Sequence, residues 1–311
     1  MLNLQHGRPK KTNRLNRRQF LERSAAAASG LLLGSCSTTP TEKVARRTAA
    51  DQVSLGTTNL RLSRLGFGTG SNSGGVQHAL GQEGFNRLIR YAYDQGITFF
   101  DCAQSYQTFE WLGGAIKGLP REKVFIQSKV SGKPEDVLEA IDHHRKVYDT
   151  DYVDSMLIHC MVKDKWTDEY KQIMDAFNEA KEKKWILTKG VSCHSLPALR
   201  SATASDWTEV HLVRINPQAK FIDGMEQTWD KPGSDLSPVL TELKSMHAKG
   251  RGVMGMKIIG NGGFVRAEDR EMSIRYAMSR PELDAIVIGF KSKEEIDEAI
   301  KNVNLALSDT A

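Results

Sequence analysis

The chain has 311 residues, of which 40% are hydrophobic and 26% are charged. This composition supplies enough apolar material for one large core, and the length suits a single barrel of roughly 250 residues with an extension. The net charge of +5 arises in the first 36 residues, which hold seven basic residues and one acid; 36 basic and 37 acidic residues remain after them. The charge therefore gives no support to a nucleic-acid-binding function, and we expect no nucleic-acid partner.

The first 36 residues have the organisation of an export signal. A basic stretch ends in Arg17-Arg18-Gln19-Phe20-Leu21, and a weakly apolar run follows at 24–35. This order is typical of a signal peptide, and the apolar run is too short to cross a bilayer of about 30 Å as an ordinary transmembrane helix. The Arg-Arg-x-Phe-Leu motif resembles twin-arginine signals. That resemblance implies that the twin-arginine export machinery of a bacterium carries the folded protein to the periplasm or the cell envelope.

A second motif, at the end of this signal, concerns membrane attachment. Leu33-Gly34-Ser35-Cys36 resembles a bacterial lipobox, which implies a lipid on Cys36 as the only link to a membrane. Simple cleavage nearby, with Cys36 incidental, is the alternative. We assign residues 1–36 to the signal peptide, residues 37–50 to a disordered tether and residues 51–311 to a folded domain.

After residue 50 the chain alternates short apolar runs with longer amphipathic runs, eight times in all. Such alternation predicts parallel strands covered by helices, and eight units without a break in composition favour a closed (β/α)8 TIM barrel. Residues 51–62 alternate apolar and polar positions around Gly56 and Asn59, which predicts a short N-terminal hairpin that closes the bottom of the barrel. The predicted strands are 65–69, 98–101, 124–129, 155–159, 186–192, 212–215, 252–257 and 285–289, and the predicted helices are 83–95, 109–117, 134–148, 167–183, 195–204, 236–249, 269–278 and 293–307.

Ionisable side chains stand at the ends of three consecutive predicted strands. Asp101, Lys129 and His159 end the second, third and fourth strands, and Tyr106 lies in the loop after the second. Because the carboxyl ends of the strands form the active site of a (β/α)8 barrel, we expect these side chains to meet. Taken singly, each has a simpler explanation: a loop cap, an exposed lysine, a core histidine and a packing tyrosine.

The chemistry of the four groups fits a proton transfer. A tyrosine has a pKa near 10, and a neighbouring ammonium such as that of Lys129 is expected to lower the pKa of Tyr106. Asp101 would hold Lys129 in place, and His159 would donate a hydrogen bond to a substrate oxygen or tune Tyr106. Such a group suits delivery of a proton to a carbonyl oxygen while hydride reaches the carbonyl carbon.

Several segments around these residues resemble the aldo-keto reductase family, from about residue 52 to the end of the chain. The resemblance implies a (β/α)8 barrel that reduces carbonyl compounds with NADPH. It also implies a catalytic tetrad that corresponds to Asp101, Tyr106, Lys129 and His159. The segments that carry the resemblance are LGTT (55–58), LGFGTG (65–70), GITFFDCAQSY (96–106), EWLGGAI (110–116), VFIQSK (124–129) and DSMLIH (154–159).

The resemblance also implies NADP(H)-binding residues, with departures at the nicotinamide end. Cys193, Arg214 and Met256 stand where the family has Asn, Gln and a stacking Tyr. The alternatives for the phosphate-binding segments are a flexible turn and a solvated helix start. The predicted cofactor residues are Ser192, Arg214, Asn216 and Met256 for the nicotinamide, Gly260 and Gly262 for the pyrophosphate, and Gly289, Lys291, Ser292 and Lys293 for the adenosine 2′-phosphate.

Three cysteines raise the question of a metal or redox centre. Cys102, Cys160 and Cys193 each come directly after a predicted site residue, and with His194 they could form a cluster. Successive side chains of a strand point to opposite sides, which favours the alternative that the cysteines face the helices as small buried residues. The C-x-x-C spacing of many metal sites is absent, and we predict no metal site.

Three functions are compatible with these residues. The first is an NADP(H)-dependent oxidoreductase acting on a small carbonyl compound, with Tyr106 as the acid. The second is a cofactor-binding or sensory barrel with little turnover, and the third is a sugar isomerase or lyase without net redox change. The substrate pocket is expected in the loops 71–82, 161–166 and 221–234, since such loops vary with function.

Overall fold

The computed structural model describes residues 47–308. The predicted signal peptide and residues 37–46 of the predicted tether lie outside the described residues. Residues 47–50, which the sequence assigned to the tether, pack against the folded domain. Ala49 is buried, and its amide donates a hydrogen bond to Oδ1 of Asn304 over 2.8 Å. The folded domain therefore includes residues that precede position 51.

Two short strands, β1 (Gln52–Ser54) and β2 (Arg61–Ser63), form the predicted antiparallel hairpin. Leu55 and Leu62 of this hairpin are fully buried and join the apolar layer inside the barrel, which includes Phe99. Because Phe99 begins its strand, the hairpin closes the N-terminal end of the barrel and leaves the opposite end for the site.

Eight parallel strands close into the predicted (β/α)8 barrel, with each strand paired to its neighbours in chain order and the last paired to the first. Closure leaves no free sheet edge. The strands are β3 (Leu65–Gly68), β4 (Phe99–Asp101), β5 (Phe125–Val130), β6 (Val153–Met161), β7 (Ile186–Cys193), β8 (Val210–Arg214), β9 (Gly252–Met256) and β10 (Ala285–Ile288).

Two apolar layers explain which side chains reach the site. Phe99 lies in the layer inside the barrel, whereas Phe100 lies in the layer between strands and helices. Because side chains alternate along a strand, the next residue, Asp101, faces the interior. On β5, Phe125 occupies the interior layer, which places Lys129 inside by the same alternation.

The helices cover the barrel as predicted, with shifted ends. The helix that the sequence predicted at 134–148 begins at Val137 rather than at Pro134, because the Asp136 side chain caps it by accepting a hydrogen bond from the amide of Glu139 over 2.9 Å. Within residues 47–308, none of the helices is both long and apolar enough to cross a membrane. The helices are α1 (Gly75–His78), α2 (Gly81–Asp94), α3 (Phe109–Ile116), α4 (Val137–Val147), α5 (Trp166–Glu169), α6 (Lys171–Glu182), α7 (Leu196–Ala204), α8 (Ser237–Ala248), α9 (Ala267–Met278) and α10 (Lys293–Ser308).

Two strands continue past the predicted catalytic residues. β5 ends at Val130, one residue after Lys129, and β6 ends at Met161, two residues after His159. The pairing of β6 with β7 shifts between Ile158 and Met161, and Cys160 within this bulge has a φ of 61°. A bulge re-aims the neighbouring side chains, so His159 lies at an irregular point of the strand and faces the mouth of the barrel.

Candidate active site

The structure brings the four predicted catalytic side chains together at the C-terminal end of the barrel. Lys129 and Asp101 form a buried ion pair, with 2.6 Å between Nζ and Oδ1 and exposed side-chain fractions of 1% and 7%. Nζ of Lys129 also donates a hydrogen bond to the carbonyl oxygen of Cys102 over 2.7 Å. Burial of two charges costs several kcal/mol per ion unless the pair is close and further hydrogen-bonded, and both conditions are met.

A second polar layer supports Asp101 from below. Gln127, two residues before Lys129 on β5, donates a hydrogen bond from Nε2 to Oδ1 of Asp101 over 2.7 Å. Oε1 of Gln127 in turn accepts from the hydroxyl of Ser155 on β6 over 3.3 Å. All these side chains are buried, and the network keeps the carboxylate of Asp101 fixed beneath the site.

Tyr106 lies in the loop between β4 and α3 and lines the cavity above this pair. Its hydroxyl is 3.5 Å from Nε2 of His159, and Nζ of Lys129 is 5.2 Å from the centre of its ring. Gly70, after β3, faces the same ring, and a Cβ atom at this position would overlap it. The lack of a side chain at Gly70 thus permits the tyrosine to occupy its place.

The pKa of Tyr106 shifts in the direction opposite to the predicted lowering. Burial raises the pKa of Tyr106 well above 10, and the negative charge of Asp101 raises it further. The expected lowering of this pKa by Lys129 is not found: the ammonium is paired with Asp101, and burial together with the charge of Asp101 determines the direction of the shift. Tyr106 therefore holds its proton at neutral pH, which is the form that an acid requires.

His159 bridges Tyr106 and two serine hydroxyls. Its Nδ1 is 2.9 Å from Oγ of Ser131 and 3.4 Å from Oγ of Ser105. Burial, followed by the positive charge of Lys129, lowers the pKa of His159 to about 3. The imidazole is therefore neutral at pH 7, with one N–H to donate and one nitrogen to accept.

A cavity of about 490 Å³ extends from Asp101 and Tyr106 along the ends of β9 and β10. Apolar side chains, including Met256 and Val287, form its wall near Tyr106. Its other end reaches Lys291, before α10, and Glu298 within that helix. A cavity of this volume that combines an apolar wall with polar and charged side chains is compatible with a small-molecule or cofactor site.

The predicted cofactor residues divide into two groups. Met256, Gly262, Gly289 and Lys291 line the cavity, whereas the other six have different contacts. Near the ends of β7 and β8, Oγ of Ser192 accepts a hydrogen bond from the amide of Cys160 over 2.9 Å, Arg214 pairs with Asp223 over 2.6 Å, and the side-chain amide of Asn216 donates to the carbonyls of Lys220 and Lys257. Gly260 begins a 3-10 turn (Gly260–Gly262). Oγ of Ser292 accepts a hydrogen bond from the amide of Glu295 over 3.3 Å, and Nζ of Lys293 lies 4.8 Å from the ring centre of Tyr91.

Lys257 is a cavity residue that the sequence reasoning missed. It follows β9 directly, lines the cavity and donates a hydrogen bond from Nζ to Oδ1 of Asn261 over 2.9 Å. Burial and the nearby Arg214 lower the pKa of Lys257. Its position at the end of a predicted strand was the available signal, since the same rule had identified Asp101.

The cysteines do not form a cluster with the site residues. Cys102 and Cys193 are buried in the layer between strands and helices, as the alternation of side chains had indicated. Cys160, for which the same alternative was given, is half-buried in the bulge of β6 and does not belong to that layer. Among residues 47–308, no group of three or more His, Cys, Asp and Glu side chains is arranged to hold a metal ion.

The buried ion pair gives a prediction for stability. Asp101→Asn or Lys129→Met alone leaves a buried charge without its partner, and we expect each change to lower the free energy of unfolding by about 3–5 kcal/mol. The double variant removes both charges and should lose clearly less than the sum of the two. Urea unfolding of the four proteins measures this, and strictly additive losses would show that the two groups are not coupled.

The low pKa of His159 gives a prediction for pH dependence. The unfolded chain has a histidine pKa near 6.5, whereas the folded pKa is about 3. Between these values the unfolded state binds the proton, so the free energy of unfolding decreases as the pH falls from 6.5 towards 3. We expect His159→Gln to reduce the slope of the free energy of unfolding against pH, between pH 6.5 and 5, by the amount that corresponds to the uptake of up to about one proton on unfolding. His143→Gln, on the solvent-facing side of α4, controls for the loss of a histidine, and an unchanged slope in His159→Gln would contradict the prediction.

Comparison with known proteins agrees with this geometry. The family model described as the aldo/keto reductase family matches residues 64–271. A probable aldo-keto reductase of Glycine max is 35% identical over 122 residues, which are 34% of this chain and 35% of that protein. A 7-acetyl-epi-neemfruitin B aldo-keto reductase of Melia azedarach is 27% identical over 214 residues, 65% of this chain and 62% of that protein. The chain thus spans less than two thirds of the length of these relatives.

Solved structures agree on the fold. An aldo-keto reductase from Pseudomonas aeruginosa superposes with a TM-score of 0.67 at 19% identity, over 84% of this chain and 98% of that one. One from Klebsiella pneumoniae in complex with NADPH has a TM-score of 0.61 at 18% identity, over 83% and 89%. The family match covers about two thirds of the chain, and it coincides with the closed barrel and the assembled tetrad. The chain belongs to the aldo/keto reductase family.

Proposed function

We propose that this protein reduces the carbonyl group of a small molecule to an alcohol with a nicotinamide dinucleotide, and that Tyr106 is the acid. One observation carries the proposal: a protonated tyrosine hydroxyl lies at a cavity wall within 3.5 Å of a neutral histidine. The ring centre of the same tyrosine lies 5.2 Å from Nζ of Lys129, which is fixed by Asp101. Aldehydes, ketones and sugars are the substrate classes to which this chemistry applies.

The cavity fits a dinucleotide in the character of its lining. Met256 and Val287 offer an apolar surface near Tyr106, and Lys257 offers a positive charge further along. Gly262 has a φ of 84° and open space where a side chain would lie, so its backbone can be approached closely. When bound, the dinucleotide supplies the hydride that reduces the carbonyl carbon. The sequence predicts NADP(H), and two solved structures of aldo-keto reductase from Klebsiella pneumoniae contain NADPH in one case and NADP with acetate in the other.

The side chains of the tetrad have distinct tasks in this mechanism. Tyr106 donates its proton to the carbonyl oxygen, and in the reverse direction its phenolate accepts the proton of the alcohol. Lys129 places a positive charge 5.2 Å from the ring centre, where it stabilises the phenolate that forms. Asp101 fixes Lys129. Neutral His159, oriented by Ser131, donates a hydrogen bond to the substrate oxygen.

Replacement of Tyr106 by Phe tests the proposal. We expect Tyr106→Phe to lower kcat for reduction of small aldehydes, ketones and sugars by about 10²–10⁴-fold, because the acid is lost. Dinucleotide affinity, measured by fluorescence titration, should change little. Tyr152→Phe is the matched control, since Tyr152 precedes β6 at the opposite end of the barrel and packs against Arg121.

Three outcomes of this experiment would contradict the proposal. Unchanged turnover in Tyr106→Phe would show that the tyrosine is not the acid. Dinucleotide binding without reduction of any carbonyl compound would favour the binding or sensory barrel, and absence of dinucleotide binding would favour an isomerase or lyase.

We also propose that residues 1–36 direct export through the twin-arginine machinery, with a lipid on Cys36. The Arg17-Arg18 motif and the Leu33–Cys36 motif support this. Arg17→Lys with Arg18→Lys should retain the protein in the cytoplasm, and Cys36→Ala should release it from the membrane fraction. Cell fractionation measures both, and an unchanged distribution would contradict the corresponding half of the proposal.

An exported reductase should be purified with its dinucleotide bound, because export of a folded protein can carry the cofactor along.

A further inference from the structure

We infer that the far end of the cavity selects a dinucleotide without a 2′-phosphate, so that NADH binds more tightly than NADPH. This inference rests on the proposed function. A dinucleotide whose nicotinamide reaches Tyr106 must extend along the cavity towards α10, so its adenosine ribose meets the residues at the start of that helix. The residues that line this end of the cavity carry both signs of charge: Arg270 of α9 and Lys291 are positive, and Glu295 and Glu298 of α10 are negative.

A carboxylate of the protein already occupies the anion-binding position before α10. Oε2 of Glu295 accepts a hydrogen bond from the backbone amide of Lys291 over 2.8 Å. Oε1 of the same carboxylate is 3.7 Å from Nζ of Lys291. Amide and ammonium together are what a phosphate would use. A 2′-phosphate would therefore have to displace Glu295 and remain beside its negative charge.

The other cationic side chain of this end has its own partners. Arg270 forms two hydrogen bonds to the carboxylate of Glu298, of 2.8 and 3.0 Å. It also donates to the carbonyl oxygens of Phe264 and Val265 over 3.1 and 2.7 Å. These contacts satisfy the guanidinium and hold the loop that borders the cavity, so the arginine is engaged in structure rather than available to a phosphate.

The remaining residues of the predicted 2′-phosphate site are also engaged. Lys293 lies over the ring of Tyr91, with 4.8 Å between Nζ and the ring centre. Oγ of Ser292 accepts the amide of Glu295 and so caps α10. The two positive and two negative side chains that line this end cancel, which leaves no net charge for a dianionic phosphate.

A ribose hydroxyl suits the same residues better than a phosphate does. A carboxylate accepts a hydrogen bond from a neutral 2′-hydroxyl, which is how an acidic residue discriminates NAD from NADP in dinucleotide-binding proteins of another fold. Against a 2′-phosphate, the same carboxylate is repulsive. Glu295, which lines the cavity and is only partly exposed, is the residue that we expect to determine this preference.

Direct binding of both dinucleotides to the full chain tests the inference. We expect the Kd of NADH to be at least about tenfold lower than that of NADPH, which corresponds to the effect of one repulsive charge. Calorimetry with 5′-AMP and 2′,5′-ADP, which differ only in the 2′-phosphate, isolates the adenosine end, and 5′-AMP should bind more tightly. Neither measurement depends on turnover.

Two adjacent glutamates provide a matched pair of variants. Glu295→Gln should lower the Kd of NADPH by about tenfold and leave that of NADH nearly unchanged. Glu294→Gln removes an equal charge from the neighbouring, solvent-exposed position, and should change neither value by more than about twofold. Equal effects of the two substitutions would show a general charge effect and overturn the assignment to Glu295.

The remaining outcomes separate this inference from the proposed function. Tighter binding of NADPH than NADH to the unaltered protein would overturn the preference, while the proposed reductase function would stand. Failure of both dinucleotides to bind would overturn both. The expected result is tight NADH binding that weakens with a 2′-phosphate and recovers in Glu295→Gln.

Discussion

An ammonium group that is buried inside a barrel needs an anion within contact distance. For Lys129 this anion is Asp101, and the arrangement of the other site residues depends on this pair. Asp101 lies 2.6 Å from Nζ, and Gln127 and the carbonyl of Cys102 supply the further hydrogen bonds that such burial requires. This arrangement fixes a positive charge 5.2 Å from the ring centre of Tyr106. Burial and the charge of Asp101 raise the pKa of Tyr106, so the tyrosine is protonated at neutral pH.

The bulge in β6 has a comparable effect on the other side of the site. It ends the regular pairing with β7 just after Ile158, so that His159 faces Tyr106 and two serines. The amide of Cys160 in the bulge is satisfied by the hydroxyl of Ser192. Ser192, which the family resemblance assigns to the cofactor, therefore has a structural contact in this chain.

Internal ion pairs determine which charges remain for a ligand. Arg214 pairs with Asp223, and Arg270 pairs with Glu298, so neither guanidinium is left as a free cation for a phosphate. Lys257, by contrast, lines the cavity with an uncharged partner, Asn261. The cavity therefore offers a positive charge in its middle and a balanced set of charges at its far end. This distribution suits a pyrophosphate followed by an unmodified ribose.

The sequence by itself determined the barrel, the hairpin and the tetrad. The barrel and the hairpin follow from the local periodicity of apolar and polar residues. The tetrad follows from the rule that the carboxyl ends of the strands of a (β/α)8 barrel lie on one face. The tertiary structure decided the direction of the Tyr106 pKa shift, because burial outweighs a lysine whose charge Asp101 neutralises. It also decided which of the predicted phosphate residues are available. The sequence shows that Lys291 is present. It does not show that the carboxylate of Glu295 accepts a hydrogen bond from the backbone amide of Lys291, because this contact depends on the three-dimensional path of the chain.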